Sequence, residues 1–340
     1  MIPNILYRTL KNFHAGGELP NGELTHFFDA LLNEQDEQLL ADILTAWKIK
    51  GMTEDEMFGL ASLMRARCIR IESPHEIFVD AVGTGGSPVK TFNVSTAAAF
   101  VIAGAGIRVA KHGNRAASSR SGSADVLDEL GVEASVDPQI ALRCLNEIGI
   151  CFMFAPNFHR LSPVLGKVRR GLGFPTIFNI LGPLCNPAGA PHQLIGVWDS
   201  GLLEKTARVL ARLGTKRSWI VNGSDGLDEI TLDGPTHVAE VANDGVRLTT
   251  IEPEAFGVAH SKVDQLRIST PQQSARLILR VLKGEEKDQP AEHLVLLNAA
   301  AAIRITSAAS LKEAFHSAEQ SIRNGSAARK LGQLAKMTRE

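Results

Sequence analysis

The first seventy residues carry apolar side chains at three- and four-residue intervals, most clearly over Leu24 to Leu32 and Leu39 to Trp47, which predicts amphipathic helices. Gly51 breaks the pattern. Thr53 and Glu56 then stand at the spacing of a capping box, in which a hydroxyl and a carboxylate satisfy the free amides of a helix start. The next helix would carry Met57, Leu60, Ala61 and Met64 on one face. No strand pattern occurs in this stretch, so residues 1–72 read as a small helical unit.

The texture changes at Glu76. Ile77 to Val82 is a short apolar run ending in glycines, as expected of a strand buried on both faces. Ser95 to Ile107 is dominated by alanine and small apolar residues, which suits a tightly packed helix leading into a strand at Ile107 to Ala110. Helical patterns at Ser123 to Leu130, Pro138 to Ile148 and Leu202 to Leu213 alternate with apolar runs at Cys151 to Phe154, Gln193 to Val197 and Ser218 to Val221. That alternation predicts an α/β unit with a central, mostly parallel sheet over residues 73–340. Thr236 to Val241 and Val246 to Ile251 flank Asn243-Asp244-Gly245 and read as a hairpin. Ala291 to Thr306 and Leu311 to Arg323 read as two further helices, the second stopped by Asn324-Gly325.

Composition adds boundaries rather than detail. The 340 residues are 44% apolar and 21% charged, with 36 Lys and Arg against 37 Asp and Glu. A near-neutral chain is a poor match for a protein that grips nucleic acid through a basic field, but it leaves room for a local cationic pocket. Cys68, Cys144, Cys151 and Cys185 form no C-x-x-C pair and lie beside no histidine at ligand spacing, so reduced, mostly buried thiols are expected rather than zinc. There is no basic stretch followed by an apolar run at Met1-Ile2-Pro3-Asn4, and no run approaches the ~18 apolar residues of a membrane span. A cytoplasmic protein is expected.

Chemistry concentrates in three windows. Gly83-Thr84-Gly85-Gly86 follows the first predicted strand, where missing side chains let backbone amides converge on an anion. A plain tight turn would look the same. Thr91-Phe92-Asn93-Val94-Ser95-Thr96 precedes the alanine-rich helix; Ser95 or Thr96 could cap it, and phosphate or a metal could occupy the same helix start. Lys111-His112-Gly113-Asn114-Arg115 follows the next strand, at the end of an open sheet where ligands bind, although a solvated turn is the plainer alternative. Ser118, Ser119, Ser121 and Ser123 come directly after it, and hydroxyls with cations suit a polyphosphate.

Taken in order, these windows resemble the signature of the anthranilate phosphoribosyltransferase family. Phe154-Ala155-Pro156 with His159, Arg169 before Leu172-Gly173, Thr176 to Leu184 with Asn186-Pro187, and Asp225-Gly226-Leu227-Asp228-Glu229 continue the resemblance over nearly the whole chain. It implies transfer of the ribose 5-phosphate of phosphoribosyl pyrophosphate (PRPP) to the amine of anthranilate with release of pyrophosphate, in tryptophan biosynthesis. It also implies a helical domain joined by roughly residues 160–180, a homodimer formed through that domain, and an active site at the hinge. Carried over by residue, Gly83, Gly86, Ser87, Thr91, Asn93, Ser95, Thr96, Lys111, Ser119 and Ser123 go to PRPP. Gly83, Asn114 and Arg169 go to anthranilate. Ser95, Asp228 and Glu229 go to Mg²⁺.

Arg169 makes physical sense there, since a guanidinium can hold the acceptor's carboxylate at two points. His112 and His159 are read as packing or orienting groups rather than as an assigned acid or base. Two positions depart from the family. Ser87-Pro88 stands where an acidic residue and often a glycine are usual, which is expected to change PRPP or Mg²⁺ affinity. Pro175 stands where arginine is frequent, which leaves acceptor selectivity open. Three alternatives remain at this stage: a paralogue for another aromatic amine, a pyrimidine nucleoside phosphorylase, and a non-catalytic nucleic-acid-binding relative.

Overall fold

In the computed structural model, residues 4–19, 21–116, 121–242, 245–287 and 289–340 are described. Helices α1 (Ile5–His14), α2 (Leu24–Asn33), α3 (Glu37–Lys50) and α4 (Glu54–Arg67) come first. The capping box forms: Glu56 N–H donates to Thr53 Oγ1 at 3.3 Å, and Thr53 N–H donates to Glu56 Oε2 at 3.0 Å. The buried Glu56 carboxylate also accepts from Leu19 N, Trp47 Nε1 and Lys50 Nζ. One local signal therefore ties three segments of the helical unit together.

Among the described residues, seven strands form one sheet: β1 (Phe78–Gly83), β2 (Arg108–Gly113), β3 (Ile150–Phe154), β4 (His192–Gly196), β5 (Arg217–Gly223), β6 (Thr236–Ala242) and β7 (Gly245–Ile251). Their order is β3-β2-β1-β4-β5-β6-β7, with the first five parallel and β6 and β7 antiparallel. The hairpin is present, though Asn243 and Asp244 of its turn lie outside the described residues.

Helix α5 (Val94–Gly104) links β1 to β2, and α6 (Ser123–Glu129) and α7 (Pro138–Glu147) link β2 to β3. Between β3 and β4 run α8 (Ala155–Phe158), α9 (Pro163–Gly171) and α10 (Ile177–Leu184); α11 (Leu203–Arg212) precedes β5. Helices α12 (Pro271–Leu282), α13 (Pro290–Thr306), α14 (Leu311–Arg323) and α15 (Ser326–Met337) follow β7. The sequence reading does not include α12 or α15.

Successive side chains of a strand point to opposite faces, and the core divides accordingly. Trp219 and Val221 join a cluster with α5 and α13, whereas Ile220 between them joins one with α1 to α4 and α9 to α11. Leu165 and Val168 of α9 and Ile180 and Leu181 of α10 are buried in that second cluster. The four cysteines are free thiols, three of them buried. No single described helix is long and apolar enough to cross a membrane; α13 and α14 pass that test only as a pair bent by 119°.

Candidate active site

Parallel β1 has β2 on one side and β4 on the other, so the strand order reverses there, and a crevice opens beyond the strands' carboxyl ends. A cavity of about 260 Å³ lies at that place. Gly83, Thr84 and Gly85 line it from the end of β1, Asn93 to Thr96 from the start of α5, and Lys111 to Arg115 from the end of β2. Ser121 to Ser123, Asp228 and Glu229 also face it, and His159, Arg169, Phe178 and Asn179 line it from the segment before β4. The three sequence windows and the distant Asp-Glu pair therefore meet. Ser118 and Ser119 lie outside the described residues.

The glycine loop is held at both ends of one residue. Gly85 N–H donates to Asp228 Oδ2 at 2.7 Å, and Lys90 Nζ donates to Gly85 O at 3.0 Å. Gly85 has φ +70°, in the left-handed region, which glycine adopts freely. Asn179 Nδ2 donates to Thr84 O at 3.1 Å, tying the loop to α10. Gly86 lies outside the cavity wall. A Cβ there would fall 2.7 Å from the Trp198 ring and 2.8 Å from Pro175 Cγ, so its role is close packing. Pro175 is thus a neighbour of the loop.

Ser87 requires a correction. Its side chain does not face the cavity. Its buried Oγ lies 2.8 Å from both Val89 O and Gly226 O and accepts from Val89 N at 3.1 Å. The hydroxyl bridges the glycine loop to the loop bearing Asp228 and has no capacity aimed at a phosphate.

A second correction concerns the start of α5. Neither Ser95 nor Thr96 caps it. Asn93 occupies the cap position without a side-chain cap bond, and Ser95 N–H donates to Glu229 Oε1 at 3.2 Å. A carboxylate from beyond β5 thus sits at the positive end of the helix. The Asn93 carboxamide is engaged by Ser121 and Ser274, which fixes the chain before α5. Thr91 Oγ1 donates to Phe92 O at 3.2 Å, on the cavity wall. The Thr96 hydroxyl is buried without a partner beside the cavity.

Lys111 is fully buried, its Nζ 2.6 Å from Ala81 O and 3.3 Å from Ser95 Oγ. Burial pulls its pKa down, while Asp80 and Glu229 oppose that. Asp80 is pushed up to about 6 by burial, against Lys111 and hydrogen bonds from Asn186 and His112. Glu229 is pushed up to about 8, first by burial and then by Asp228; Asp228 is raised by burial too. Adjacent hard oxygen donors held above the ordinary carboxylate range, with the Ser95 hydroxyl close by, fit a divalent cation that would draw both carboxyls into their ionised form.

Across the cavity, Arg169 lies 5.0 Å over the Phe178 ring with its Nε buried and unpartnered. Burial, then Arg170, lowers it to about 10, so it stays charged at neutral pH. Asn114 Oδ1 accepts from Arg115 N, and Asn114 O accepts from Ser123 Oγ at 3.3 Å. His112 Nδ1 lies 3.2 Å from Gly182 O, which can only accept, so that nitrogen carries the proton. The His112 and His159 rings are 5.1 Å apart, and the Nε2 of each is buried and unpartnered. Burial lowers them to about 3 and about 4, so both are neutral. Sequence reasoning did not single out Lys90 as a wall residue, and Asn179 was legible only as part of a longer motif.

Comparisons with known proteins place the whole chain among named relatives. Residues 75–328 match the family described as glycosyl transferase family, a/b domain, and residues 8–68 match its helical bundle domain. An anthranilate phosphoribosyltransferase of Pelotomaculum thermopropionicum is 46% identical over 99% of this chain and 97% of its own length. The crystal structure of the Thermus thermophilus enzyme of that name superposes with a TM-score of 0.88 at 36% identity, covering 98% of this chain and 99% of the other. The Saccharomyces cerevisiae enzyme in complex with PRPP and Mg gives 0.87 at 27% identity, covering 99% of this chain and 98% of the other.

Proposed function

Because this chain belongs to the anthranilate phosphoribosyltransferase family, we propose that its cavity carries out that family's reaction, with the diphosphate and the acceptor held on opposite sides. The chain transfers the 5-phosphoribosyl group of PRPP to the amine of anthranilate and releases pyrophosphate. The observation that carries this reading is the convergence of the glycine loop, the start of α5, Lys111 and Asp228-Glu229 on one side of a cavity that has Arg169 on the other.

The diphosphate of PRPP lies against the backbone of residues 83–85 on the cavity wall, with Ser95, Thr96, Lys111 and Ser123 around it. Thr91 and Asn93 hold the approach to α5, and Ser119 belongs to the same PRPP set. Ser95, Asp228 and Glu229 would hold Mg²⁺, which when bound offsets the charge that builds on departing pyrophosphate. Arg169 grips the carboxylate of anthranilate, and Asn114 and Gly83 border the amine. The anomeric carbon gains a bond to nitrogen as its bond to the pyrophosphate oxygen breaks. An aromatic amine is already unprotonated at neutral pH, so positioning dominates and is worth roughly 7–11 kcal/mol in well-oriented pairs. The depressed basicity of His112 and His159 supports an orienting role, with each Nε2 free to accept an N–H.

Residues 1–72 with roughly 160–180 form the helical domain of this reading, and residues 73–340 provide the α/β domain. The burial of α9 and α10 among α1 to α4 supports that division. Two copies associate through the helical domain, where Tyr7 and Ile49 leave apolar surface exposed. Free thiols suit a reducing cytoplasm.

The test is the loss of anthranilate fluorescence with PRPP and Mg²⁺. Turnover is expected, and Arg169→Ala should raise the KM for anthranilate on the order of 100-fold, as for a lost charged hydrogen-bond pair. Absence of turnover by the native chain would overturn the reading. Unchanged kinetics in Arg169→Ala would remove the role given to its guanidinium.

A further inference from the structure

Four cationic side chains line the cavity among the described residues, and three have evident duties. Lys111 is buried against Ala81 O and Ser95 Oγ. Arg115 is turned to Asp125 at 3.0 Å and Asp128 at 2.7 Å. Arg169 lies over Phe178 on the acceptor side. The fourth is Lys90, at the far end of the glycine loop. Its half-buried side chain reaches back so that Nζ donates to Gly85 O at 3.0 Å. An ammonium has three N–H donors, so two remain beyond that bond.

The surrounding charge gives that ammonium a task. The same Gly85 peptide donates its N–H to Asp228, so Lys90 stands at the end of the cavity where the carboxylate pair lies. The glycine loop has no carboxylate of its own, because Ser87 occupies that place and its hydroxyl is taken up by Val89 and Gly226. The loop therefore presents a positive charge to this end of the cavity. A diphosphate placed there meets two carboxylates and one adjustable cation. Because Pro88 limits the loop's backbone freedom, adjustment falls to the flexible four-carbon lysine stem.

We propose that Lys90 is a diphosphate-binding residue that shares with the cation at Asp228-Glu229 the neutralisation of pyrophosphate charge. It rests on the reading of this cavity as the PRPP site. Lys90, which donates to Gly85 O, turns its remaining N–H donors to diphosphate oxygens on binding. The consequence is specific to this chain's loop: pyrophosphate binding depends less steeply on Mg²⁺ than a loop with a carboxylate and no lysine would allow.

The experiment is calorimetric titration of inorganic pyrophosphate into the full chain at several Mg²⁺ concentrations, for the native protein, Lys90→Gln and Lys90→Arg. The loss of a charge-assisted hydrogen bond should weaken binding in Lys90→Gln roughly tenfold or more, with the gap widening as Mg²⁺ falls. Lys90→Arg should restore most of the affinity, and anthranilate binding, followed by its fluorescence, should be unchanged. Coincident pyrophosphate affinities of the native chain and Lys90→Gln would overturn the proposal. So would a loss that arginine does not restore, or one shared equally by anthranilate, since either would make Lys90 a strut of the loop. A native chain that binds pyrophosphate in this Lys90-dependent way but turns over no anthranilate would uphold the diphosphate site and overturn only the assigned acceptor.

Discussion

Ser87 illustrates how a residue in a ligand-binding window can serve the ligand indirectly. Its hydroxyl links the glycine loop to the chain around Gly226, two segments about 140 residues apart in sequence. Ser87→Ala leaves Gly226 O and Val89 N without that partner and should cost about 1–3 kcal/mol. In the proposed function the loop lies against the diphosphate, so KM for PRPP should rise while KM for anthranilate stays constant; steady-state kinetics with each substrate varied separates the two. Loss at both substrates would mean that the latch supports the whole cleft. Legibility at this scale follows chemistry. Gly83 and Lys111 stand out in windows rich in glycine or in cations, though a plain turn fits each as well, whereas Asp228 and Glu229 are marked only by the order of family motifs around them. Lys90 could not be read, because a lysine between two motifs has no local mark separating it from a solvated one. Ser87 was placed in the right loop with the wrong orientation, since a serine hydroxyl serves backbone or ligand equally well.

Strands β1 and β4 create the site by lying side by side, although 113 positions separate their paired ends at Gly83 and Gly196. Nothing local encodes that pairing. The sequence marks β1 as an apolar run ending in glycines and β4 as a run from Gln193 to Val197 that contains Gly196, and only the assembled sheet explains both glycines. A Cβ at Gly196 would stand 1.7 Å from Asp228 O, and one at Gly83 would stand 3.0 Å from Asp228 Oδ2. The two strand ends are bare so that Asp228 can lie across them. Gly196→Ala must therefore push Asp228 off its seat. The overpacking should cost about 1–3 kcal/mol of stability, and kcat/KM for PRPP should fall by roughly 100-fold or more. Thermal unfolding and kinetics on the same preparation test this, and activity within a fewfold of native would show that Asp228 can move without penalty. Helices with clear periodicity, such as α7 and α14, are legible to within a residue or two. Helices α9 and α10 are short and bear Pro163 and Pro183, and only the order of motifs marked them as important.

The two apolar clusters cover opposite faces of the sheet, and the histidine pair sits where α10 meets the end of β2. Burial there has a consequence for the whole molecule, because folding must exclude a proton from each ring. Free histidine titrates near 6.5, and His159 in the folded chain titrates at about 4. Above 6.5 both the folded and the unfolded chain are neutral at this ring, and the ring adds no pH dependence. Between 6.5 and about 4 the unfolded chain takes up a proton that the folded chain refuses, so stability falls as pH falls. Below about 4 both are protonated and the loss is complete. His112, at about 3, acts in the same direction over a window that extends lower. Raised carboxyls such as Asp80 act in the opposite direction, because the folded chain keeps its proton to about 6 and gains stability on acidification. Comparison with a His159→Gln variant cancels those contributions. The native chain should lose stability faster than the variant between pH 6.5 and 4.5, by up to about 1.4 kcal/mol per pH unit, and the two curves should run parallel above pH 7.5. Urea unfolding across that range measures the difference. Curves that stay parallel throughout would mean that His159 takes a proton while folded, and the neutral imidazole pair beside the acceptor would have to be abandoned.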